Sequence, residues 1–338
     1  MSEADELMLT IKEIADMANV SRTTVSRVLN DSGYVSIKAR ERVLKVIEET
    51  GYVPSQHAKS LRTKKSKVIG VVIPKLGTET SGRLVNGMNE VFSQYGYQIL
   101  LTSSNLAPQK EIEYLSLLKS RQVDGIILTA TNVSDQLIAG IRQLRMPFVA
   151  VGQNIPGVSN VVYDDLNAAK IMTRLLIERG RKNIAFIGVP ESDQAVGVLR
   201  KQGFLDSMKE HCLNIRKEWI IESDFSISSG YSAMERIMER VVGGVIPDGV
   251  FCVTDRIAIG AIQHLKETGL KVPQQISITG IGASDLSKYV EPPLTTMDYE
   301  NEKAGQEAAK ILLAQIERNE DFQKTVILNG RLIRRDSL

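Results

Sequence analysis

The sequence predicts an α/β protein with a small helical headpiece and a two-lobed body built on parallel sheets. Three observations predict this fold class. The stretch 10–30 has the apolar spacing of two short helices joined by a tight turn. From Val68 onward, short apolar runs alternate with amphipathic segments, which is typical of parallel strands connected by helices. The strand series restarts after Asp165, which indicates two similar lobes with a cleft between them.

The first two helices have clear boundary residues. Thr10 is a good N-cap and forms a capping box with Glu13, while Asn19 suits the turn and Ser21 caps the second helix. Both helices turn an apolar face inward, formed by Ile11, Ile14, Ala15, Ala18, Val20, Val25, Val28 and Leu29. The second helix keeps Arg22, Thr23, Thr24, Ser26 and Arg27 outward. Such a helix lies in the major groove of DNA with its first residues at base edges, whereas the alternative is a hairpin that packs on another element.

A third helix is predicted over 37–50, capped by Ser36 and ended by Gly51 and Pro54. The next segment, 55–62, is short, polar and only marginally helical. A basic stretch follows it and marks a domain boundary. The headpiece is therefore predicted to span 1–63 and the body 64–338.

The body is predicted to form two lobes. Strands are expected at 68–73, 97–103, 123–130, 147–152, 160–165, 183–188, 249–255 and 275–282. The segment 294–298, a helix near 300–317 and the run 326–333 are expected to complete both lobes. We assign about 67–163 and 294–325 to the N-terminal lobe, and about 164–293 and 326–338 to the C-terminal lobe.

Composition and charge narrow the function classes. The 43% hydrophobic and 24% charged residues are ordinary for a globular protein. No apolar run has membrane-spanning length and the N-terminus is acidic, so we expect a cytoplasmic protein with no membrane partner. The segment 10–67 has 12 Lys and Arg against 6 Asp and Glu, whereas the net charge is only +2. A basic head on a nearly neutral body indicates binding to a polyanion such as DNA.

An enzyme is disfavoured. The motifs GxGxxG, GxxxxGK[ST] and GxSxG are absent from the expected places, and no histidine stands beside a plausible nucleophile. The tight carboxylate pair Asp164-Asp165 is better explained by a structural role than by acid–base catalysis. Cys212 and Cys252 lie in apolar sequence and are expected to be reduced, buried thiols, and the scattered histidines predict no metal site and no cofactor.

The N-terminal motif resembles that of the lactose-repressor (LacI/GalR) family of transcriptional regulators. The matching residues lie at 10–15, 20–21, 24–30, 35–36, 40 and 51–54, and the resemblance covers essentially the whole chain. It implies a periplasmic-binding-protein-like body and a homodimer on a pseudo-palindromic operator; the family's extra tetramer-forming tail is not expected. It also implies that 55–62 is a hinge helix that folds on DNA. The DNA-binding residues implied are Thr10, Ser21, Arg22, Thr23, Thr24, Ser26, Arg27, Asn30, Tyr34, Ser36, Ser55, Ala58 and Leu61, with Leu61 as a minor-groove wedge.

The resemblance also places a small-molecule effector in the cleft. Arg200 matches the family's arginine for sugar hydroxyls, and Asp255 matches an aspartate that is equally suited to cap the following helix. The expected effector-binding set is Arg200, Asp255, Thr254, Gln153, Gly282 and Lys75. Together these features predict a sugar-responsive transcriptional regulator, most often a repressor in this family.

Departures from the lactose-type pattern bear on the effector. Acids of that pattern are replaced at Gly152 and Gly282, and fewer acids beside Arg200 favour an anionic ligand. The motifs at 163–165 and 188–193 resemble those of sugar-phosphate-sensing trehalose repressors. We therefore expect a sugar-phosphate effector such as trehalose 6-phosphate, with a sugar acid or another sugar as the alternative. A sugar-binding protein without regulatory DNA binding is the distant alternative.

Overall fold

A computed structural model describes residues 9–52, 65–241, 244–318 and 322–338. The chain divides into two compact units, with the boundary between Ser66 and Lys67. The boundary predicted after residue 63 is slightly early, because the body begins at Lys67, whose backbone N–H bonds to Asp124. The predicted hinge helix 55–62, with Ser55, Ala58 and Leu61, lies outside the described residues.

In the described part of the headpiece, the helices are α1 (Ile11–Met17), α2 (Arg22–Leu29) and α3 (Ile37–Thr50). The predicted capping box is confirmed, since Thr10 N–H donates to Glu13 at 2.6 Å and Glu13 N–H donates to Thr10 Oγ1 at 3.4 Å. Asn19 turns the chain with a φ of 49°. The predicted apolar faces of α1 and α2 form the core together with α3, and its buried residues are Ile14, Ala15, Ala18, Val25, Val28, Val43 and Val46.

The first lobe is a parallel sheet covered by helices on both faces. Its described strands are β1 (Val68–Ile73), β2 (Gln98–Ser103), β3 (Gly125–Thr129), β4 (Phe148–Val151), β5 (Ser159–Tyr163) and β11 (Thr325–Leu328). Their order in the sheet is β11-β5-β4-β3-β1-β2. The helices are α4 (Glu79–Gln94), α5 (Pro108–Ser120), α6 (Asp135–Leu144) and α12 (Asn301–Arg318). Helices α4 and α12 cover one face, and α5 and α6 the other.

The second lobe repeats this architecture. Its described strands are β6 (Ile184–Gly188), β7 (Ile220–Glu222), β8 (Gly249–Cys252), β9 (Ser277–Ile281), β10 (Thr295–Asp298) and β12 (Arg331–Ile333). Their order is β12-β10-β9-β8-β6-β7, and β12 runs antiparallel to β10. The helices are α7 (Asp165–Glu178), α8 (Arg200–Glu210), α9 (Ile227–Glu239), α10 (Asp255–Glu267) and α11 (Leu286–Tyr289). A π-helical segment, Gln194–Leu199, leads into α8, and a 3-10 turn, Lys217–Trp219, precedes β7.

The predicted fold class is confirmed, but two predicted lobe boundaries are wrong. The segment 294–298 was expected in the first lobe, whereas β10 pairs with β9 in the second. The run 326–333 was expected to end the second lobe, whereas β11 pairs with β5 in the first lobe and only β12 joins the second. A short apolar run does not identify its sheet, because its partner is selected by packing far along the chain.

The structure also bears on the expectations for membrane-spanning helices, clusters of metal ligands and the two cysteines. Among the described residues, no helix is long and apolar enough to cross a membrane. Within the same residues, no three His, Cys, Asp or Glu side chains come together as metal ligands would. Cys252 is buried, but Cys212 is exposed, so the expectation of two buried thiols is wrong for Cys212. Cys212 lies in the turn after α8 with a φ of 54°, and this turn leaves the thiol at the surface.

Candidate DNA interface and effector site

The outward face of α2 carries the side chains that were predicted to meet DNA. Arg22, Thr23 and Arg27 are exposed, while Val25 and Val28 on the inner face are buried. The helix begins at a Ser21 cap whose Oγ accepts a hydrogen bond from the third residue along. Helix α2 therefore presents two cations and a hydroxyl at its surface, as a helix in a DNA groove does.

Several predicted DNA-binding residues also stabilise the headpiece. The Asn30 side-chain amide donates to the Ser26 carbonyl at 2.6 Å and so closes the end of α2. Ser36 Oγ accepts from Ala39 N–H at 3.4 Å and caps α3, as predicted. Tyr34 is 87% exposed, which leaves its ring available to a partner. Thr10 is committed to its capping box, and the Thr24 hydroxyl lies 2.9 Å from Ser21 Oγ.

Arg27 is supported by the loop that follows α2. A Cβ on Gly33 would lie 3.3 Å from Arg27 Nε, and Gly33 has a φ of +68°. A larger residue there would be strained and would crowd the guanidinium. The same loop is tied to α3 by the ion pair of Asp31 and Arg40, 2.9 Å apart. The Arg27 side chain thus lies against the backbone of this loop at Gly33.

In the body, Arg200 lies in a buried polar cluster beyond the carboxyl ends of the strands. It is the first residue of α8 and is 6% exposed. Its Nε donates to Asp165 Oδ1 at 2.7 Å, and its Nη1 donates to the Val253 carbonyl. The Tyr299 hydroxyl donates to the same Asp165 oxygen at 2.9 Å. The carboxylate of Asp165 therefore neutralises the charge of Arg200.

Two stacked tyrosines border this cluster. The ring centroids of Tyr163 and Tyr299 are 4.5 Å apart, and the Arg200 guanidinium lies 5.3 Å from the Tyr299 centroid. The Tyr163 hydroxyl donates to Asn301 Oδ1 at 2.7 Å. Burial raises the pKa of both tyrosines, so their hydroxyls stay protonated donors. Both residues lie where the chain crosses from one lobe to the other, which links Arg200 to the crossover segments.

Gln153 connects the two lobes directly. It follows β4 in the first lobe, and its Nε2 donates to Asp193 Oδ1 in the second at 2.7 Å. Its Oε1 accepts from Ala195 N–H, at the start of the π-helical segment, at 3.2 Å. Gln153 is 2% and Asp193 8% exposed. Burial raises the pKa of Asp193 above its ordinary value.

A second buried carboxyl, Glu111, belongs to the first lobe. It accepts hydrogen bonds from Thr131 N–H at 3.2 Å, from Thr131 Oγ1 at 2.6 Å and from Asn132 Nδ2 at 2.9 Å. The pKa of Glu111 is raised to about 7, chiefly by burial; the charge of Asp193 on the other lobe contributes to this rise, and the hydrogen bonds from Thr131 and Asn132 oppose it. Sequence reasoning did not select Glu111, although it stands four and seven residues before Leu115 and Leu118 and so shares their buried face of the helix.

The cap considered for Asp255 is formed by Thr254 instead, and the effector-binding roles of both residues stay predictions. Thr254 caps α10, since its Oγ1 accepts from Ile257 N–H at 3.4 Å. Asp255 instead bonds within its lobe: Oδ2 accepts from Ser284 N–H at 2.7 Å and Oδ1 from the Thr296 hydroxyl at 2.5 Å. Both oxygens of Asp255 therefore accept hydrogen bonds from within the second lobe.

Glycines in and after β9 make room for this carboxylate. A Cβ on Gly280 would lie 2.8 Å from Asp255 Oδ1, closer than carbon and oxygen can approach. A Cβ on Gly282, whose φ is +140°, would lie 3.7 Å from the same carboxylate. Gly282 thus lies beside Asp255 and contributes backbone only.

The premise of an acid-poor cleft is wrong. Gly152 and Gly282 carry no acid, but the carboxyls of Asp165, Asp193 and Asp255 are buried at the same end of the sheets. Lys75, which follows β1, faces an acid as well. Hydrogen bonds from Ser226 and Ser229 lower the pKa of Asp224, which follows β7, and the charge of Lys75 adds to them.

The carboxylate pair considered for catalysis is occupied structurally. Asp164 caps α7, since its Oδ1 accepts from Asn167 N–H at 3.2 Å. Asp165 pairs with Arg200. Neither carboxyl is placed to act as an acid–base partner of the other.

Comparison with known proteins identifies the family. The model described as "Bacterial regulatory proteins, lacI family" matches residues 10–55, and "Periplasmic binding proteins and sugar binding domain of LacI family" matches residues 66–335. The chain is 32% identical to the HTH-type transcriptional regulator RegA of Clostridium saccharobutylicum, over 97% of this chain and 98% of that protein. It is 32% identical to the HTH-type transcriptional regulator TreR of Salmonella typhimurium, over 94% and 97%.

A solved structure extends the comparison. The transcriptional regulator CelR–cellobiose complex has 27% sequence identity and a TM-score of 0.74, and the match covers 97% of this chain and 99% of that chain. These matches are to DNA-binding transcriptional regulators, not to enzymes, and they span the headpiece and the body. The chain therefore belongs to the lacI family of bacterial regulatory proteins.

Proposed function

We propose that the chain is a homodimeric repressor of a carbohydrate-utilisation operon. Each subunit places α2 on one half of a pseudo-palindromic operator, and a sugar bound between the lobes lowers operator affinity. The observation that carries the proposal is the exposed polar face of α2, with Arg22, Thr23 and Arg27, on a headpiece rich in Lys and Arg. A sugar-binding protein without regulatory DNA binding would have no use for that face.

Control by the sugar follows from differential affinity. A ligand shifts an equilibrium only if it binds one state of the body more tightly than the other. Gln153 bonds to Asp193 and Ala195 on the other lobe, so a ligand that enters between the lobes competes with or reinforces these bonds. The body then has two arrangements, and the headpieces of the dimer respond to which one is populated.

The groups around Arg200 favour a neutral, polyhydroxylated effector. Asp165 already neutralises Arg200, and Asp193 adds a further carboxyl nearby. Among the described residues, nothing accepts a hydrogen bond from Arg200 Nη2, so this group has donors for a ligand hydroxyl. A phosphate dianion would meet no excess of positive charge here. The CelR relative is described in complex with cellobiose, a neutral disaccharide, which supports the same class.

A phosphorylated disaccharide such as trehalose 6-phosphate is the second candidate. Its support is the resemblance of 163–165 and 188–193 to trehalose repressors, together with Lys75 and the remaining donors of Arg200 as cationic contacts. A sugar acid such as gluconate would use the same cations with a single charge.

A thermal-shift screen of the full chain separates these effectors. We expect a neutral disaccharide at 100 times its Kd to stabilise the protein by about 2.7 kcal/mol, which raises Tm by several degrees. Trehalose, cellobiose, trehalose 6-phosphate and gluconate form the panel. A shift with trehalose 6-phosphate alone would select the second candidate, and no shift with any sugar would contradict a carbohydrate effector.

Base recognition by α2 gives a test on DNA. We expect Arg22→Ala and Thr23→Ala to change which half-site is preferred, because each good base contact contributes about 1–3 kcal/mol of discrimination. The measurement is selection of duplexes from a random library by each variant. Lys45→Ala is the matched control, since Lys45 is exposed on α3 and pairs with Glu49 at 3.8 Å. Uniformly weaker binding with an unchanged preferred site would show that Arg22 and Thr23 contact the DNA backbone and not the base edges.

A further inference from the structure

The chain enters the body at Lys67, and backbone hydrogen bonds fix this residue. Its N–H donates to Asp124 Oδ2 at 3.1 Å, and its carbonyl accepts from Gln98 N–H at 2.9 Å. Gln98 begins β2, and Asp124 directly precedes β3. Lys67 is thus held between the two strands that flank β1.

The Lys67 side chain adds contacts that β1 does not need for pairing. Its Nζ donates to the Tyr95 carbonyl at the end of α4, at 3.1 Å, and lies 4.2 Å from the centroid of the Tyr97 ring. Tyr97 is 5% exposed. Burial, together with the charge and hydrogen bond of Asp124, raises the pKa of Tyr97 to about 12. Lys67 also has a φ of 58°, which is unfavourable for a residue other than glycine.

The second lobe contains the same corner without the side-chain contacts. The strand register makes Lys182 the counterpart of Lys67, because Ile69 pairs with Gly125 as Ile184 pairs with Gly249. Lys182 N–H donates to Asp248 Oδ1 at 3.0 Å, just as Lys67 N–H donates to Asp124. The backbone corner is therefore a shared device for starting the first strand of a lobe.

The two lysines differ in their side-chain contacts and in their backbone conformation. Within the described residues, the Lys182 ammonium donates to no carbonyl and lies over no aromatic ring, whereas the Lys67 ammonium does both. Lys182 is also outside the set of residues with positive φ. The second lobe begins its sheet without these features, so they are not required to fold such a lobe. The first lobe follows the headpiece in the chain, because the headpiece unit ends at Ser66, next to Lys67.

We propose that Lys67 is a positioning residue for DNA binding, whose ammonium and left-handed backbone fix the direction in which the chain leaves the body toward the headpiece. When the chain leaves the body in a fixed direction, the headpiece has less conformational freedom to lose on binding the operator. Lys67 contacts the end of α4 and the first residue of β2, so a movement of either element changes the direction in which the chain leaves the body. The state of the body is thereby coupled to operator affinity. This inference rests on the proposed control of operator affinity by the body.

The test compares Lys67→Met with Lys182→Met in the full chain. Both changes remove one exposed ammonium from the same register position and keep a flexible side chain. The probes are an operator selected by the wild-type chain and a random duplex of equal length. We expect Lys67→Met to weaken operator binding about fivefold or more, with Tm and random-DNA affinity unchanged. Lys182→Met should change none of the three.

A conservative variant makes the test sharper. Lys67→Arg should restore operator affinity, because a guanidinium also reaches the Tyr95 carbonyl and stacks on Tyr97. Equal losses on both duplexes, with a shallower salt dependence, would make Lys67 a phosphate contact and overturn the proposal. An unchanged operator affinity, or a loss that follows a fall in Tm, would overturn it too. A wild-type chain that prefers no duplex would instead contradict the proposed function.

Discussion

Asp165→Asn is expected to lower the free energy of unfolding of the body by about 3–5 kcal/mol, because it leaves the buried charge of Arg200 without its partner. Arg200 is 6% exposed and its Nε lies 2.7 Å from Asp165 Oδ1. The substitution keeps the size of the side chain, so the loss reports the charge. A urea titration followed by the fluorescence of Trp219, the one tryptophan of the chain, measures it in the lobe that holds the pair.

Two further variants test whether the loss of stability comes from the unpaired charge of Arg200. Glu300→Gln removes a carboxylate from an exposed pair, 3.5 Å from Lys303, and is expected to change stability little. The double variant Asp165→Asn, Arg200→Met should recover much of the loss, because it removes the stranded charge as well. If Asp165→Asn were as mild as Glu300→Gln, the ion pair would not be what stabilises Arg200.

This pair also changes how Arg200 is used as a probe of the effector. The sequence suggests Arg200→Ala as a simple loss of a ligand contact. In the structure, the same change leaves Asp165 buried and unpaired, so stability and ligand binding fall together. Effector affinity is better compared between Asp165→Asn and the double variant Asp165→Asn, Arg200→Met. Only the first of these keeps the guanidinium of Arg200, and neither has a carboxylate at position 165.

The headpiece could be predicted closely because its signals are local. The capping box joins Thr10 to a residue three positions away, and the caps Ser21 and Ser36 act within a single turn. Helical spacing selects the buried residues without any knowledge of the rest of the chain. The hinge residue Leu61 lies outside the described residues, so its role stays a prediction.

The body was predicted less completely because its signals are long-range. Apolar runs predict most strands, but β7 has only three residues, too few to show a pattern. The sheet that each late strand joins depends on partners elsewhere in the chain, as β10 and β11 show. Length and hydrophobicity, which are all that a short run offers, are the same for either lobe.

The cleft shows the same limit for polar residues. Arg200 and Gln153 were expected from their positions, and both are buried there. Their partners Asp165 and Asp193 lie 35 and 40 positions away, and nothing in the sequence pairs either acid with Arg200 or Gln153. Tyr299 gave no signal, because a tyrosine after a strand is commonly a core residue. Charge counting from the sequence therefore omitted the acids that neutralise the site.

Glu111→Gln is expected to remove a pH dependence of stability that amounts to about 3 kcal/mol. The pKa of Glu111 is raised from 4.5 to about 7, chiefly by burial. The folded protein therefore holds this proton more tightly than the unfolded chain. The resulting stabilisation is complete below pH 4.5 and is lost as the pH rises through 7. In urea titrations from pH 4.5 to 8, the stabilisation contributed by Glu111 should fall with pH in the wild type and be absent from the variant.

The informative quantity is the slope of the unfolding free energy with pH. The absolute stability of Glu111→Gln also changes because its amide lies against Asn132 Nδ2, but this contact is the same at every pH. Glu113→Gln, on the exposed side of the same helix, should keep the wild-type slope. Asp193→Asn removes the acid that raises the pKa of Glu111 from the other lobe, so the loss of stability should begin at lower pH and be smaller. An unchanged slope in Asp193→Asn would show that the two carboxyls do not interact across the cleft, whereas a steep slope in Glu111→Gln would assign the titration to another group.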